Sequence, residues 1–128
     1  MQPRCKLWLE HDDNIAMSDY RFRLLAAIHD TGSLSAAAQR LGLSYRRAWG
    51  KIRELEQNLD ACLVESAAGG AGGGRSRLTA EGLDLLHRYD EFADQSRRAV
   101  AAIFDAVFTP AAGPTDPASV LSDRSGPR

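Results

Sequence analysis

The chain has 128 residues, with 16 Lys and Arg against 17 Asp and Glu and a formal net charge of −1 when histidine is neutral. That length suits one folding unit with appendages, and 44% hydrophobic with 26% charged residues excludes wholesale disorder. No apolar run reaches the ~20 residues a membrane-spanning helix needs. The first ten residues hold no apolar signal core, and Cys5 and Cys62 form no CxxC pair. A cytoplasmic protein without membrane contact is expected.

The near-neutral total argues weakly against a nucleic-acid partner, but it hides a segregation of charge. Between Leu34 and Arg53 the charged residues are Arg40, Arg46, Arg47, Lys51 and Arg53, without an acid. Acids gather instead at Glu10 to Asp13 and from Glu81 to Asp94. Affinity for phosphate follows such a local patch rather than the sum.

In chain order, Lys6 to Glu10 alternates polar and apolar residues, as a short strand does, and His11 to Asn14 reads as a turn. Ser18 can cap a helix from Asp19 to Thr31 with Leu24, Leu25 and Ile28 on its apolar side, and Gly32 stops it. Ser33 can cap a second, Ala-rich helix through Ala36, Ala37, Ala38 and Leu41, after which Gly42 supplies a left-handed turn. Ser44 caps a third helix whose apolar positions Ala48, Ile52, Leu55 and Leu59 share one face. A short helix, a Gly-containing turn and a longer helix are the parts of a helix-turn-helix.

Beyond it, Cys62 to Ser66 and Arg75 to Leu78 read as two strands joined by an almost pure Gly and Ala tip, which makes a wing. Thr79 opens a long helix running without Pro to Phe108. Its positions Gly82, Leu86, Tyr89, Ala93, Ser96, Val100, Ile103 and Val107 step by 4 and 3, which is heptad spacing, over roughly 40 Å at ~1.5 Å per residue. Residues 109–128 are dominated by Pro, Ala, Gly, Ser and Asp and are expected to be a disordered tail. The predicted fold class is mainly α: a winged helix-turn-helix over residues 1–79, a long C-terminal helix over 80–108, and the tail.

If Ala48, Ile52, Leu55 and Leu59 face the core, the third helix presents Tyr45, Arg46, Trp49, Gly50 and Arg53 outward, flanked by Arg47 and Lys51. Arginine can grip guanine through two hydrogen bonds in the major groove, Lys51 and Ser44 suit phosphate oxygens, and Gly50 lets a duplex approach closely. Ser33 and Ser35, at the start of the second helix, join them as DNA-facing candidates. In the wing, Gly69, Gly70, Gly72, Gly73 and Gly74 let the tip enter a minor groove, with Arg75 and Arg77 bringing positive charge. The bland alternative is a solvated charged helix beside a floppy hairpin. Trp49 has two placements, stacked on DNA sugars or folded into the core.

Other chemistries fare worse. Gly69 to Ser76 has the glycine spacing of a phosphate-binding loop, but Arg75 replaces the required Lys and no acidic metal-binding strand follows. His11, Asp12 and Asp13 are remote from His29 and His87, so no metal-ligand spacing exists. No nucleophile motif is present. Neither cofactor nor enzymatic activity is expected.

Several segments together resemble the ModE family of molybdate-responsive regulators, whose DNA-binding domain is related to the head of LysR-type regulators. They are Thr31 to Ala38, Leu43 to Trp49, Leu63 to Glu65, the Gly69 to Gly74 wing, and Leu78-Thr79 leading through Gly82 into the long helix. The resemblance implies a homodimer formed through the C-terminal helix, with Leu86, Tyr89, Ala93, Val100, Ile103 and Val107 as dimerisation residues. It also implies a palindromic double-stranded operator, read by two recognition helices ~34 Å apart. Full-length members carry C-terminal oxyanion-binding domains that the Pro-rich tail is too short to form, so molybdate sensing is not carried over. Two other readings stay open. In one, an interaction module docks a separate sensor protein on the long helix; in the other, a small metal- or oxyanion-binding protein uses the dimer interface.

Overall fold

Four hydroxyl side chains start the four helices. In the computed structural model, which describes residues 1–67 and 74–109, Ser18, Ser33, Ser44 and Thr79 hold extended backbone. Their hydroxyl oxygens accept from the amides of Arg21, Ala36, Arg47 and Gly82 at 3.0–3.2 Å. Each cap satisfies an amide that the helix itself leaves unpaired, worth about 1 kcal/mol. The elements they open are α1 (Asp19–Thr31), α2 (Leu34–Arg40), α3 (Tyr45–Leu59) and α4 (Ala80–Phe108).

Stops are equally local. Gly32 and Gly42 sit at φ 70° and 69°, where a side chain is strained, and turn the chain between α1, α2 and α3. The third helix ends without a glycine: Asp60 takes the left-handed conformation at φ 51°, which a short polar side chain tolerates.

The core lies where α1, α2 and α3 meet, built from Leu24, Leu25, Ile28, Leu34, Ile52 and Leu55. Ala37 and Ala48 are completely buried; a methyl group there lets the helix backbones approach closely. Leu41 and Leu59, both expected on apolar faces, are only half-buried at the edge.

Two antiparallel hairpins flank the helices. At the N-terminus β1 (Trp8–His11) pairs with β2 (Asn14–Ser18), so the first strand sits two residues later than its alternation suggests, and β2 has no counterpart among the predicted elements. The turn contracts to Asp12 and Asp13, both at positive φ, as a two-residue hairpin loop requires. Met17 of β2 is fully buried. The second hairpin is the wing, β3 (Val64–Ala67) against β4 (Arg75–Leu78), in the register Val64↔Leu78 to Ala67↔Arg75. Of the tip, Gly69, Gly70, Gly72 and Gly73 lie outside the described residues, as does the tail from residue 110.

Half of the heptad stripe on α4 serves the chain's own core. Leu86, Tyr89 and Ala93 are 6%, 1% and 5% exposed and join the same cluster as α1 and α3, so they are corrected from partner-facing to core residues. A stripe at heptad spacing buries equally well against a partner or against its own domain, and here the chain's own head claims the first four turns. Val100 is half-buried, while Ile103 and Val107 stay 63% and 58% exposed.

The buried Tyr89 carries a polar handle. Its hydroxyl lies 2.8 Å from Asp19 Oδ1 and 3.0 Å from the Leu7 carbonyl oxygen, two acceptors sharing one proton. Asp19 Oδ2 accepts in turn from Arg97 at 2.7 Å. Burial raises the Tyr89 phenol's pKa, and the Asp19 bond adds to that. Partial burial opposes ionisation of Asp19, but the bonds from Tyr89 and Arg97 outweigh it and hold the carboxyl below its ordinary 3.8.

A carboxyl whose folded-state pKa is depressed stabilises fully above the unfolded value and loses that contribution as pH falls through the folded one. Asp19→Asn is therefore expected to lower the urea midpoint at pH 7, with the gap to wild type closing below about pH 4. A gap independent of pH would show that the carboxylate's charge plays no part.

Candidate nucleic-acid interface

The outward face of α3 is set by what its inward face buries. Ala48, Ile52 and Leu55 are 0–1% exposed, which leaves Tyr45, Arg46, Arg47, Gly50 and Arg53 exposed along the other side. Ser44, which caps the helix, is exposed as well. Ser33 is half-buried, its hydroxyl engaged with the Ala36 amide and its backbone with the Thr31 hydroxyl, so its first role is to shape the turn. Ser35 is exposed.

Charge on α3 is divided along its length. Both of its acids lie in the second half and are occupied: Glu54 pairs with Arg21 of α1 at 3.6 Å, and Glu56 accepts the amides of Leu63 and Val64 at 2.7 and 3.3 Å. Ahead of both acids the helix carries Arg46, Arg47, Lys51 and Arg53, none of them in an ion pair among the described residues. Lys51 rests its ammonium 5.6 Å from the Tyr20 ring of α1, and Arg53 rests its guanidinium 5.4 Å from the Trp49 ring. Among the described residues Arg46 and Arg47 have neither kind of partner. Trp49 itself is half-buried and packs against the core, with one ring face turned to Arg53.

This placement has no folding rationale. A helix N-terminus carries about half a positive charge, so each cation in the first turn is disfavoured by roughly 0.3–1 kcal/mol. Gly50 points the same way: it lies mid-helix, it has φ in the ordinary range, and an added Cβ would meet nothing within 4 Å. Glycine there lowers helix stability by about 0.5–1 kcal/mol relative to alanine, and no contact among the described residues requires it.

The wing stands beside α3 because Glu56 and Thr79 grip its root. The Glu56 carboxylate binds its first amides, the Thr79 hydroxyl donates to the Cys62 carbonyl at 2.7 Å, and the Thr79 amide donates to the Leu63 carbonyl at 2.9 Å. The grip also explains why β3 begins at Val64 rather than Cys62: the backbone groups of Cys62 and Leu63 are taken by Glu56 and Thr79. Sequence reading missed Glu56, whose only signal is an acid where the helix amphipathicity asks for none. The Ser76 amide bonds the Gly32 carbonyl at 2.9 Å, seating β4 on the turn between α1 and α2. Arg75, Arg77 and Gly74 are exposed; Arg77 pairs across the strands with Glu65 at 3.1 Å, which partly offsets its charge, whereas Arg75 forms no ion pair among the described residues.

Among the described residues no group of three or more metal-ligating side chains converges, and no helix is long and apolar enough to cross a membrane.

Comparison with known proteins agrees with this geometry. The profile of bacterial regulatory helix-turn-helix proteins of the lysR family matches residues 20–83. The chain is 36% identical over 105 residues to the DNA-binding transcriptional dual regulator ModE of Escherichia coli strain K12, covering 82% of this chain and 40% of that protein. It is 35% identical over the same length to the transcriptional regulator ModE of Yersinia pestis, with the same coverage. Over 73 residues it is 45% identical to the molybdenum-pterin-binding protein MopB of Rhodobacter capsulatus, which is 27% of that protein. The chain thus spans about two fifths of the length of the ModE relatives. Among solved structures, a CbnR_DBD–DNA complex matches with a TM-score of 0.56 at 24% identity, over 71% of this chain and 99% of that one, which establishes the shared winged-helix fold.

The root of the wing offers a sharp test. A Cβ on Gly82 would run into the Leu63 carbonyl oxygen, which is backbone already fixed by the Thr79 amide. Gly82→Ala is expected to destabilise the protein by about 1–3 kcal/mol, read as a lower urea midpoint with unchanged slope.

Proposed function

Because the chain belongs to the lysR family of bacterial regulatory helix-turn-helix proteins and shares its head with ModE regulators, we propose that it regulates transcription by binding a double-stranded operator. In this reading α3 enters the major groove, with Arg46 and Arg53 reaching base edges and Ser44, Arg47 and Lys51 meeting phosphates. The wing reaches the adjacent minor groove through Arg75 and Arg77. The observation that carries the reading is the pair of arginines in the first turn of α3 that have no ion-pair or ring partner among the described residues, where they oppose the helix dipole.

The exposed apolar end of α4 supports the second half of the proposal. Ile103, Val107 and Phe108 are 58–63% exposed, and Val100, Ile103 and Val107 keep heptad spacing, which suits an isologous contact with a second copy. Two heads so joined would read a palindromic operator with half-sites about one helical turn apart. The same stripe also fits the competing reading, a separate sensor protein docked on α4. Sedimentation of the isolated chain decides between them: a dimer supports the first, and a monomer with the same stripe exposed supports the second. Because the chain spans two fifths of its ModE relatives, the proposal concerns the head and its helix alone.

Three variants test the DNA reading. Arg46→Ala and Arg47→Ala are expected to leave the urea midpoint unchanged or slightly higher and to weaken duplex binding, and Arg47→Ala also to reduce the slope of log affinity against log salt by about 0.9 for the phosphate no longer neutralised. Unchanged affinity in both variants sinks the assignment. Gly50→Ala is expected to stabilise the fold by about 0.5–1 kcal/mol while weakening binding, since the new methyl group meets only the approaching duplex.

A further inference from the structure

Ala93 is the last buried residue of α4; among the described residues from Asp94 to Phe108 none is buried. The helix therefore leaves the head as a lever. Its other ion pairs, Arg88 with Asp84 and Arg98 with Asp94, run between successive turns of α4 itself, so they stiffen it without aiming it. The pair that ties this outer half to another element among the described residues is Arg97 with Asp19, at 2.7 Å.

Asp19 is the first residue of α1, and α1 is fastened to the recognition helix by the shared core and by the Arg21–Glu54 pair. On the other flank Tyr89 holds the Leu7 carbonyl, and the N-terminal strand runs on so that Cys5 and Lys6 border one groove with Arg97, Val100 and Ala101. The lever is thus held on both flanks at its root, and α1 relates its direction to α3.

Leverage makes this brace matter more for geometry than for stability. The pair is half-exposed, 46% at Arg97 and 41% at Asp19, and pairs of that kind contribute little to folding. Yet the ~15 residues beyond Ala93 reach ~22 Å, so tilting them by ~10° moves their end by ~4 Å, about the ~3.4 Å rise of one base pair.

We propose that the Asp19–Tyr89–Arg97 brace sets the angle between head and dimer helix, and so determines the half-site spacing the protein accepts. This rests on reading α4 as the helix that joins two copies. Arg97 is a positioning residue in this account: it touches no DNA and acts through the direction of α4.

The test uses the full chain as wild type, Arg97→Ala and Arg97→Lys. The DNA probes are inverted repeats of a half-site selected from random duplexes by the wild type, with spacers lengthened one base pair at a time across a helical turn. Wild type is expected to show one affinity optimum. Arg97→Ala is expected to remain folded and dimeric by sedimentation and to bind a single half-site like wild type, but to lose the optimum or shift it by at least one base pair; Arg97→Lys should restore it. A spacing profile for Arg97→Ala that superimposes on wild type overturns the brace and leaves the dimer reading standing. Loss of the dimer in Arg97→Ala also overturns it, by making Arg97 an assembly residue. A wild type that is monomeric, or indifferent to spacing, overturns the dimer reading and the brace together.

Discussion

Everything functional here depends on the rotational setting of one helix. Burying Ala48, Ile52 and Leu55 leaves α3 a single orientation about its own axis, because turning it by one residue, ~100°, would carry arginines into an apolar core. The orientation that satisfies the core is also the one that presents Tyr45, Arg46, Gly50 and Arg53 to solvent. Packing energy and binding geometry are therefore set by the same side chains, and the alanines matter as much as the leucines. Ala37 and Ala48 are fully buried, and larger residues there would push the helices apart and move the exposed face of α3 with them.

Around that helix the molecule separates two uses of charge. Acids are engaged where they organise structure: Glu56 holds the root of the wing, Glu54 links α3 to α1, and Asp19 links α1 to α4. Cations at the start of α3 have no acidic partner among the described residues. The near-zero net charge is then no obstacle to phosphate binding, because within a Debye length of ~10 Å a duplex responds to the local arrangement rather than the sum.

Local signals in the sequence reached the structure almost intact. The hydroxyl caps at Ser18, Ser33, Ser44 and Thr79, the left-handed glycines at positions 32 and 42, and the 3.6-residue period of α3 are each decided within a few residues; α1 and α4 begin and end, and α3 begins, where those signals put them. The exposed basic face of α3 was legible for the same reason: it is the complement of an apolar face visible in the sequence. What eluded sequence reading was decided at a distance. The β2 strand exists because Met17 has a core to enter, Asp60 stops α3 where no glycine marks the place, and Glu56 takes its meaning from amides seven and eight residues away.

The heptad stripe on α4 shows why such distances matter. Periodicity reports that one face of a helix is apolar, and it carries no label for what covers that face. Gly82 supplies the missing information. A glycine at a stripe position weakens an intermolecular seam, having no side chain to insert, but it is needed where a helix must press against a carbonyl, and Leu63 provides that carbonyl. Its presence therefore places the first turns of α4 against the chain's own head. The stripe changes from Gly, Leu, Tyr and Ala to Val, Ile and Val, and its burial gives way to exposure beyond Ala93. One helix thus belongs to two environments in succession, and the residues where it passes from one to the other, around Arg97, fix how the head and the far end of the helix are aligned.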